Sequence, residues 1–175
     1  MAAATTRTSS GKTSRTTTTR KSTTSAAKDA IALLKADHKL VDQMFKDFES
    51  AKADSRKQAL VGKIVMALKV HTQIEEEIFY PACRGEIDDD MLDEAKVEHQ
   101  SAKDLIAQIE GMSVGDELYD AKVTVLGEYI RHHLKEEEGE MFPAARKTDL
   151  DLKALGQRMQ TRKTELEREM KAQVQ

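Results

Sequence analysis

From residue 27 onward the apolar positions recur every three or four residues, the spacing of one face of an α-helix. The first stripe runs Ile31, Leu34, His38, Val41, Phe45 and Phe48. The second runs Leu60, Ile64, Ala67, His71, Ile74, Glu75 and Ile78, and the third Leu92, Ala95, His99, Ala102, Ile106 and Ile109. A fourth reads Leu118, Lys122, Val125, Leu126, Tyr129, His133, Glu137 and Met141; a fifth holds Leu152, Leu155, Met159, Leu166 and Met170. No stretch alternates strictly between apolar and polar, so the pattern predicts helices and no strands. Breaks fall at Ala53-Asp54-Ser55, at Gly85 to Asp90 and at Gly111 to Gly115, with Ser113 and Asp116 as candidate caps. The fold class is therefore all-α. An antiparallel four-helix bundle, up-down-up-down, covers residues 27–148, and an additional amphipathic C-terminal helix covers 149–175. Pro81 and Pro143 lack an amide hydrogen and are expected to kink or end their helices nearby.

Each of the first four stripes carries one histidine on the side that should face the core. Two of them open a repeat: HTQIEEEIFYPACR at residues 71–84 and HLKEEEGEMFPAAR at 133–146. The other two share a context, KADH at 35–38 and KVEH at 96–99. The chain thus reads as a duplicated helical hairpin, each copy offering one His and then one His-x-x-x-Glu. A pseudo-twofold axis through the bundle brings both sets to a similar depth.

Four neutral imidazoles and two carboxylates in one core are costly without partners. A pair of cations satisfies all six groups at once. The i,i+4 spacing stacks His71 over Glu75 and His133 over Glu137, about 6 Å apart, so each His can take one metal while the carboxylate bridges to the other. A lone cysteine excludes a thiolate zinc site, and neither HExxH nor Glu-x-x-His occurs. Imidazole with bridging carboxylate suits iron, with manganese or zinc as weaker candidates.

Composition adds to this picture at the N-terminus. Residues 1–28 hold six basic residues and no acid; taking these from the chain's 28 bases leaves 22 against 31 acids. Residues 1–26, rich in Ser and Thr, offer too little apolar surface to offset ordering entropy and read as a disordered basic tail. Any nucleic-acid contact is expected to be weak and to run through that tail. No apolar run approaches the roughly 20 residues that span a bilayer, and no secretory h-region is visible. The lone Cys83 fits a reducing compartment, and a cytoplasmic location is the expectation.

The His-x-x-x-Glu followed by Phe-x-Pro or Phe-Pro, with the paired histidines, resembles the hemerythrin-like, or HHE cation-binding, domain family over roughly residues 29–148. That resemblance implies an antiparallel bundle holding a non-haem di-iron centre, two iron ions, whose partner is dioxygen or a related small oxidant. Carried over position by position, it makes His38, His71, Glu75, His99, His133 and Glu137 the metal ligands. Two departures stand out. Oxygen-carrying hemerythrins have a second His four residues after the third-helix His, where this chain has Lys103. They also use His-x-x-x-x-Asp on the fourth helix, where this chain has His-x-x-x-Glu. Both point away from reversible oxygen carriage. The expected role is oxygen or redox sensing, iron handling, or peroxide or nitric oxide chemistry. The alternatives are a peroxide-removing, catalase-like di-iron enzyme and an interaction module with a structural metal site. Tyr129, one turn before His133, either packs in the core or aims its hydroxyl at the metals in place of the missing ligand. His132 is read as outward or behind a ligand, while Glu76 and the neighbours of Glu137 in the run Glu136–Glu138 are read as solvated. Cys83, twelve residues beyond His71, lies about 18 Å along a helix and is too far to ligate.

Overall fold

The computed structural model describes residues 1–3 and 28–173, so the expected tail lies, but for its first three residues, outside the described residues. Helix α1 is Ala30–Ser50, opened by Asp29, whose side chain accepts from the Ala32 amide at 2.7 Å. Helix α2 begins as Asp54–Ile74, passes through a π-turn at Glu75–Phe79 and ends as Tyr80–Cys83. Helix α3 is Asp89–Glu110. Helix α4 repeats the plan of α2: Tyr119–Glu136, a π-turn at Glu137–Met141, then Phe142–Ala145. Helix α5 is Leu152–Gln173. In the bundle α1 packs on α2 and α4, and α3 packs on α4 and α2, closing a ring of four in chain order. Helix α5 lies against α1 and α2. No strand occurs among the described residues, and none of their helices is long and apolar enough to cross a membrane.

The core is two apolar clusters with a polar layer between them. One gathers Ile31, Leu34, Ile74, Phe79, Phe142 and, from α5, Met159 and Leu166. The other gathers Phe45, Ile64, Leu68, Ile106, Ile109 and Leu126. On every one of the four helices the histidine falls between the two. Full burial of side chains of this size stabilises by about 1.5–3 kcal/mol each, so the clusters clamp the polar layer from both ends.

The first and third stripes are buried as the spacing predicts. The fourth is rotated. Leu118, Val125 and Tyr129 are 60%, 42% and 52% exposed, and α4 instead buries Tyr119, Val123, Leu126, Ile130 and His133. Gly127 accounts for the rotation, because a Cβ there would sit 3.0 Å from Cδ1 of Phe45. Its bare backbone lets α4 press this face against α1. Gly156 does the same for α5: a Cβ would come within 2.7 Å of the Ala30 amide nitrogen, so only glycine allows α5 to cross the start of α1.

The prolines do not break their helices where they stand. The Tyr80 amide reaches back to the Glu75 carbonyl, and the Phe142 amide to that of Glu137, the i→i−5 bond of a π-turn. The widened turn takes up the clash that a proline ring makes with the carbonyl four residues back. Each helix then continues to Cys83 or Ala145.

Candidate metal centre

The six residues singled out from the sequence converge in the polar layer, each at most 4% exposed. The four imidazoles point Nε2 inward. His71 Nε2 lies 3.2 Å from Glu75 Oε2, and His99 Nε2 lies 3.5 Å from the same oxygen. Glu137 Oε2 stands in the same way 3.2 Å from His38 Nε2 and 3.5 Å from His133 Nε2. Each carboxylate therefore faces one imidazole from each half of the chain. Donor atoms of His38, His71, Glu75 and Glu137 lie within 4.8 Å of one another, and so do those of Glu75, His99 and His133.

Most of these inward atoms have no hydrogen-bond partner within the protein: His38 Nε2, His71 Nε2, both Glu75 oxygens and Glu137 Oε2. Buried polar atoms are normally satisfied. Orphans of this kind, all converging and all good donors to a cation, are what a metal-binding cluster requires.

The outward Nδ1 atoms follow a second repeat. Glu138 lies 2.9 Å from His38 Nδ1, and Glu76 lies 3.0 Å from His99 Nδ1. Glu98 lies 2.7 Å from His133 Nδ1, while Asp37 stands further off, 3.8 Å from His71 Nδ1. A carboxylate behind an imidazole fixes the tautomer that presents bare Nε2 and raises its basicity. Each outer carboxylate has its own base: Lys35 for Glu138, Lys103 for Glu76, Lys163 of α5 for Asp37, and His132 for Glu98. Glu76 and Glu138, expected to be merely solvated, are thus second-layer partners. The signal was in the sequence: Asp37 and Glu98 immediately precede the paired histidines, and Glu76 and Glu138 immediately follow the paired glutamates.

Tyr129 does not reach the centre; the rotation of α4 leaves it on the surface. The tyrosine at the site is Tyr80, 1% exposed, whose hydroxyl donates to Glu137 Oε1 at 3.0 Å and lies 3.2 Å from His99 Nε2. In an uninterrupted helix Tyr80, nine residues after His71, would point to the opposite side, at about 100° per residue. The π-turn holds one extra residue and swings it back. Its repeat counterpart is Phe142, which stacks on His38 at 5.5 Å as Tyr80 stacks on His99. Lys103 turns away from the six converging side chains: its ammonium binds both Glu76 oxygens, at 2.6 and 2.7 Å. His132 is outward, its side chain 64% exposed. Cys83 is buried in the apolar cluster, and burial pushes its thiol up to about 11.

Electrostatics separates the two halves. Burial pushes His71 down to about 4, and burial lowers His99 as well. His133 goes the other way, because the charges of Glu137 and Glu98 outweigh its burial. Burial and the neighbouring Glu137 carboxylate hold Glu75 well above the usual carboxylate range. Glu137 resists its own burial, and the surrounding histidines, His133 foremost, hold it at about 2.

The fold has a solved counterpart. A hemerythrin HHE cation binding domain-containing protein from Mycobacterium kansasii superimposes with a TM-score of 0.71 at 23% identity, over 80% of this chain and 88% of that one. A DNA nickase of Nostoc sp. strain PCC 7120 is 26% identical over 114 residues, 65% of this chain. The match spans only 32% of the nickase. The hemerythrin HHE cation binding domain model itself matches residues 29–145, from the cap of α1 to the end of α4. With a cation-shaped cluster at the middle of that span, this is a metal-binding helical domain, and the chain belongs to the hemerythrin HHE cation-binding domain family.

Proposed function

We propose that the centre holds two iron ions, with His38, His71, Glu75, His99, His133 and Glu137 as ligands, and that the protein binds or reacts with dioxygen or a related small oxidant there. When bound, the metal pair supplies the electrons for that chemistry. The observation that carries the reading is the sharing of Glu75 Oε2 and Glu137 Oε2, each between one imidazole of either half. That is the placement a bridging carboxylate needs. Imidazole and carboxylate without thiolate suit iron.

The chain's own residues then do three things. Glu138, Glu76 and Glu98 keep the His38, His99 and His133 imidazoles facing inward. Tyr80 donates its hydroxyl hydrogen to Glu137 Oε1, which leaves Oε2 free for a metal. The two apolar clusters exclude bulk water from both ends of the layer. Because Lys103 is drawn onto Glu76, the His99–His133 half offers two imidazoles, as does the His38–His71 half. That symmetry favours reaction at the metals over storage of a stable adduct.

Anaerobic titration of the metal-stripped full chain with ferrous iron tests the reading. The expected result is two irons per chain, with Glu75→Ala and Glu137→Ala each losing more than one. Clean retention of one iron in both variants defeats the bridging assignment, and failure of the stripped chain to take up ferrous iron defeats the assignment to iron. Adding dioxygen or peroxide afterwards and following the optical spectrum separates one stoichiometric reaction from repeated turnover.

A further inference from the structure

Away from the metal centre, α1, α2 and α5 enclose a groove of about 320 Å³. That is the lower end of the range for small-molecule sites. Its floor is apolar, built from Leu40, Val41, Met44, Met66 and Val70. Leu40 is left 54% exposed, and the two thioethers give a surface that adapts to a flexible guest. Three ammoniums rim it, Lys63, Lys163 and Lys171, against two carboxylates, Asp37 and Glu167.

The charges are not evenly placed. Lys163 is tied to Asp37, behind His71. Helix α5 runs alongside α1 in the same direction, with Gly156 against Ala30 and Lys163 against Asp37. Lys171, eight residues on, therefore lies about 12 Å further from the metals. On the antiparallel α2, Lys63 stands eight residues before His71 and reaches a similar level. Neither lysine pairs with a carboxylate within 4.0 Å among the described residues. Glu167 offsets one of them, which leaves this end net positive. The groove thus has an apolar floor, a neutralised inner end and a cationic outer end. The chain's own N-terminal segment is a poor occupant, since residues 1–28 carry six bases and no acid.

We propose that this groove binds a medium-chain aliphatic carboxylate, its tail on the floor of Leu40, Met44 and Met66 and its head between Lys63 and Lys171. Two lysine ammoniums attract an anionic head as point charges, and the tail removes apolar surface from water on both sides. The site is separate from the six residues of the metal centre and does not depend on which metal they hold.

The test is isothermal titration of the full-length, metal-loaded protein with decanoate below its micelle concentration, with decanol and decyltrimethylammonium as probes of tail and head. One decanoate per chain is expected, bound about tenfold more tightly than decanol, equivalent to about 1.4 kcal/mol. Decyltrimethylammonium should bind weakest of the three. The double variant Lys63→Gln with Lys171→Gln should erase the preference for the carboxylate while decanol still binds. Leu40→Glu, at an exposed position, should weaken both ligands and leave metal content and melting temperature unchanged. Equal affinity for decanoate and decanol in the unmodified protein overturns the proposal. So does decanoate binding that survives both sets of substitutions.

Discussion

Compared residue by residue, the α1–α2 hairpin and the α3–α4 hairpin differ little at the metal centre and more the further one looks from it. Their inner atoms match to the distance: 3.2 and 3.5 Å around Glu75, 3.2 and 3.5 Å around Glu137. The next layer already diverges, with Asp37 at 3.8 Å from His71 but Glu98 at 2.7 Å from His133. Tyr80 in one half is Phe142 in the other, and α5 lies mainly against the first hairpin. The difference shows what duplication holds constant and what it frees. Six converging donors tolerate little change, because each orphaned polar atom costs on the order of 1–3 kcal/mol. Their supports need only present a charge at the right nitrogen, and a short Asp with a long Lys can serve as well as a Glu.

The largest effect should come from removing the metals, which abolishes the reason for the shared inner layer. Binding to the native state alone stabilises by about 4 kcal/mol when free metal stands a thousandfold above its dissociation constant. For a chain of this size that is roughly 8–16 °C in melting temperature. Equal melting temperatures of loaded and stripped protein would sink the idea that the layer is built around cations.

Next come substitutions that make the halves more alike. Tyr80→Phe removes a buried hydroxyl from Glu137 and should cost about 1–2 kcal/mol in urea unfolding. Phe142→Tyr, at 1% exposure, buries a hydroxyl beside His38 and should cost about 1–3 kcal/mol unless it finds Glu75. A gain in stability from Phe142→Tyr would show that the second half can accept the same hydrogen bond.

The pH dependence sharpens the contrast in protonation. In the stripped protein His71 stays neutral down to about 4, whereas in the unfolded chain it protonates near its ordinary 6.5. The unfolded state then binds more protons in that window, so the His71 contribution is lost as pH falls from 6.5 towards 4. His133, raised above its ordinary value, contributes in the opposite sense: its stabilisation is present below 6.5 and lost as pH rises through its folded value. Imidazole proton resonances of the stripped protein should therefore titrate far apart, His133 above and His71 below. Coincident titration would remove the asymmetry.

The smallest effect is expected among the outer bases. Lys103→Gln breaks a partly exposed ion pair and should cost under about 1 kcal/mol, while Lys163→Gln leaves the largely buried Asp37 without its ammonium and should cost about 1–3 kcal/mol. Metal loss to a chelator should nonetheless quicken in both, since Glu76 and Asp37 are then free to leave His99 and His71. Unchanged loss rates would confine those lysines to surface charge.

Helix periodicity made the bundle readable, because the stripes on α1 and α3 follow 3.6 residues per turn without interruption, and that on α2 does so as far as its π-turn. The six inner residues were readable for a related reason: polar groups stand out on an apolar stripe, and the duplication repeats them. What stayed hidden depends on contacts between helices. Gly127 lets Phe45 approach, and that approach, not the apolar count of α4, decides that Ile130 faces in and Tyr129 faces out. Glu76 and Glu138 stood beside the repeated glutamates, but nothing in one helix shows which imidazole lies behind them on the next.

The two π-turns also set how these segments tolerate insertion and deletion. Each carries one residue beyond the α-helical count, and everything after it is aimed by that surplus. Removing a single residue from Glu75–Phe79 would leave a sound helix, with its apolar composition nearly intact. It would also turn Tyr80 and Phe79 by about 100°, away from Glu137 and out of the cluster that seals the metal layer. Loop segments such as Gly111–Asp116 can change length with little consequence for the site, whereas inside these five-residue windows a length change is as damaging as losing a ligand.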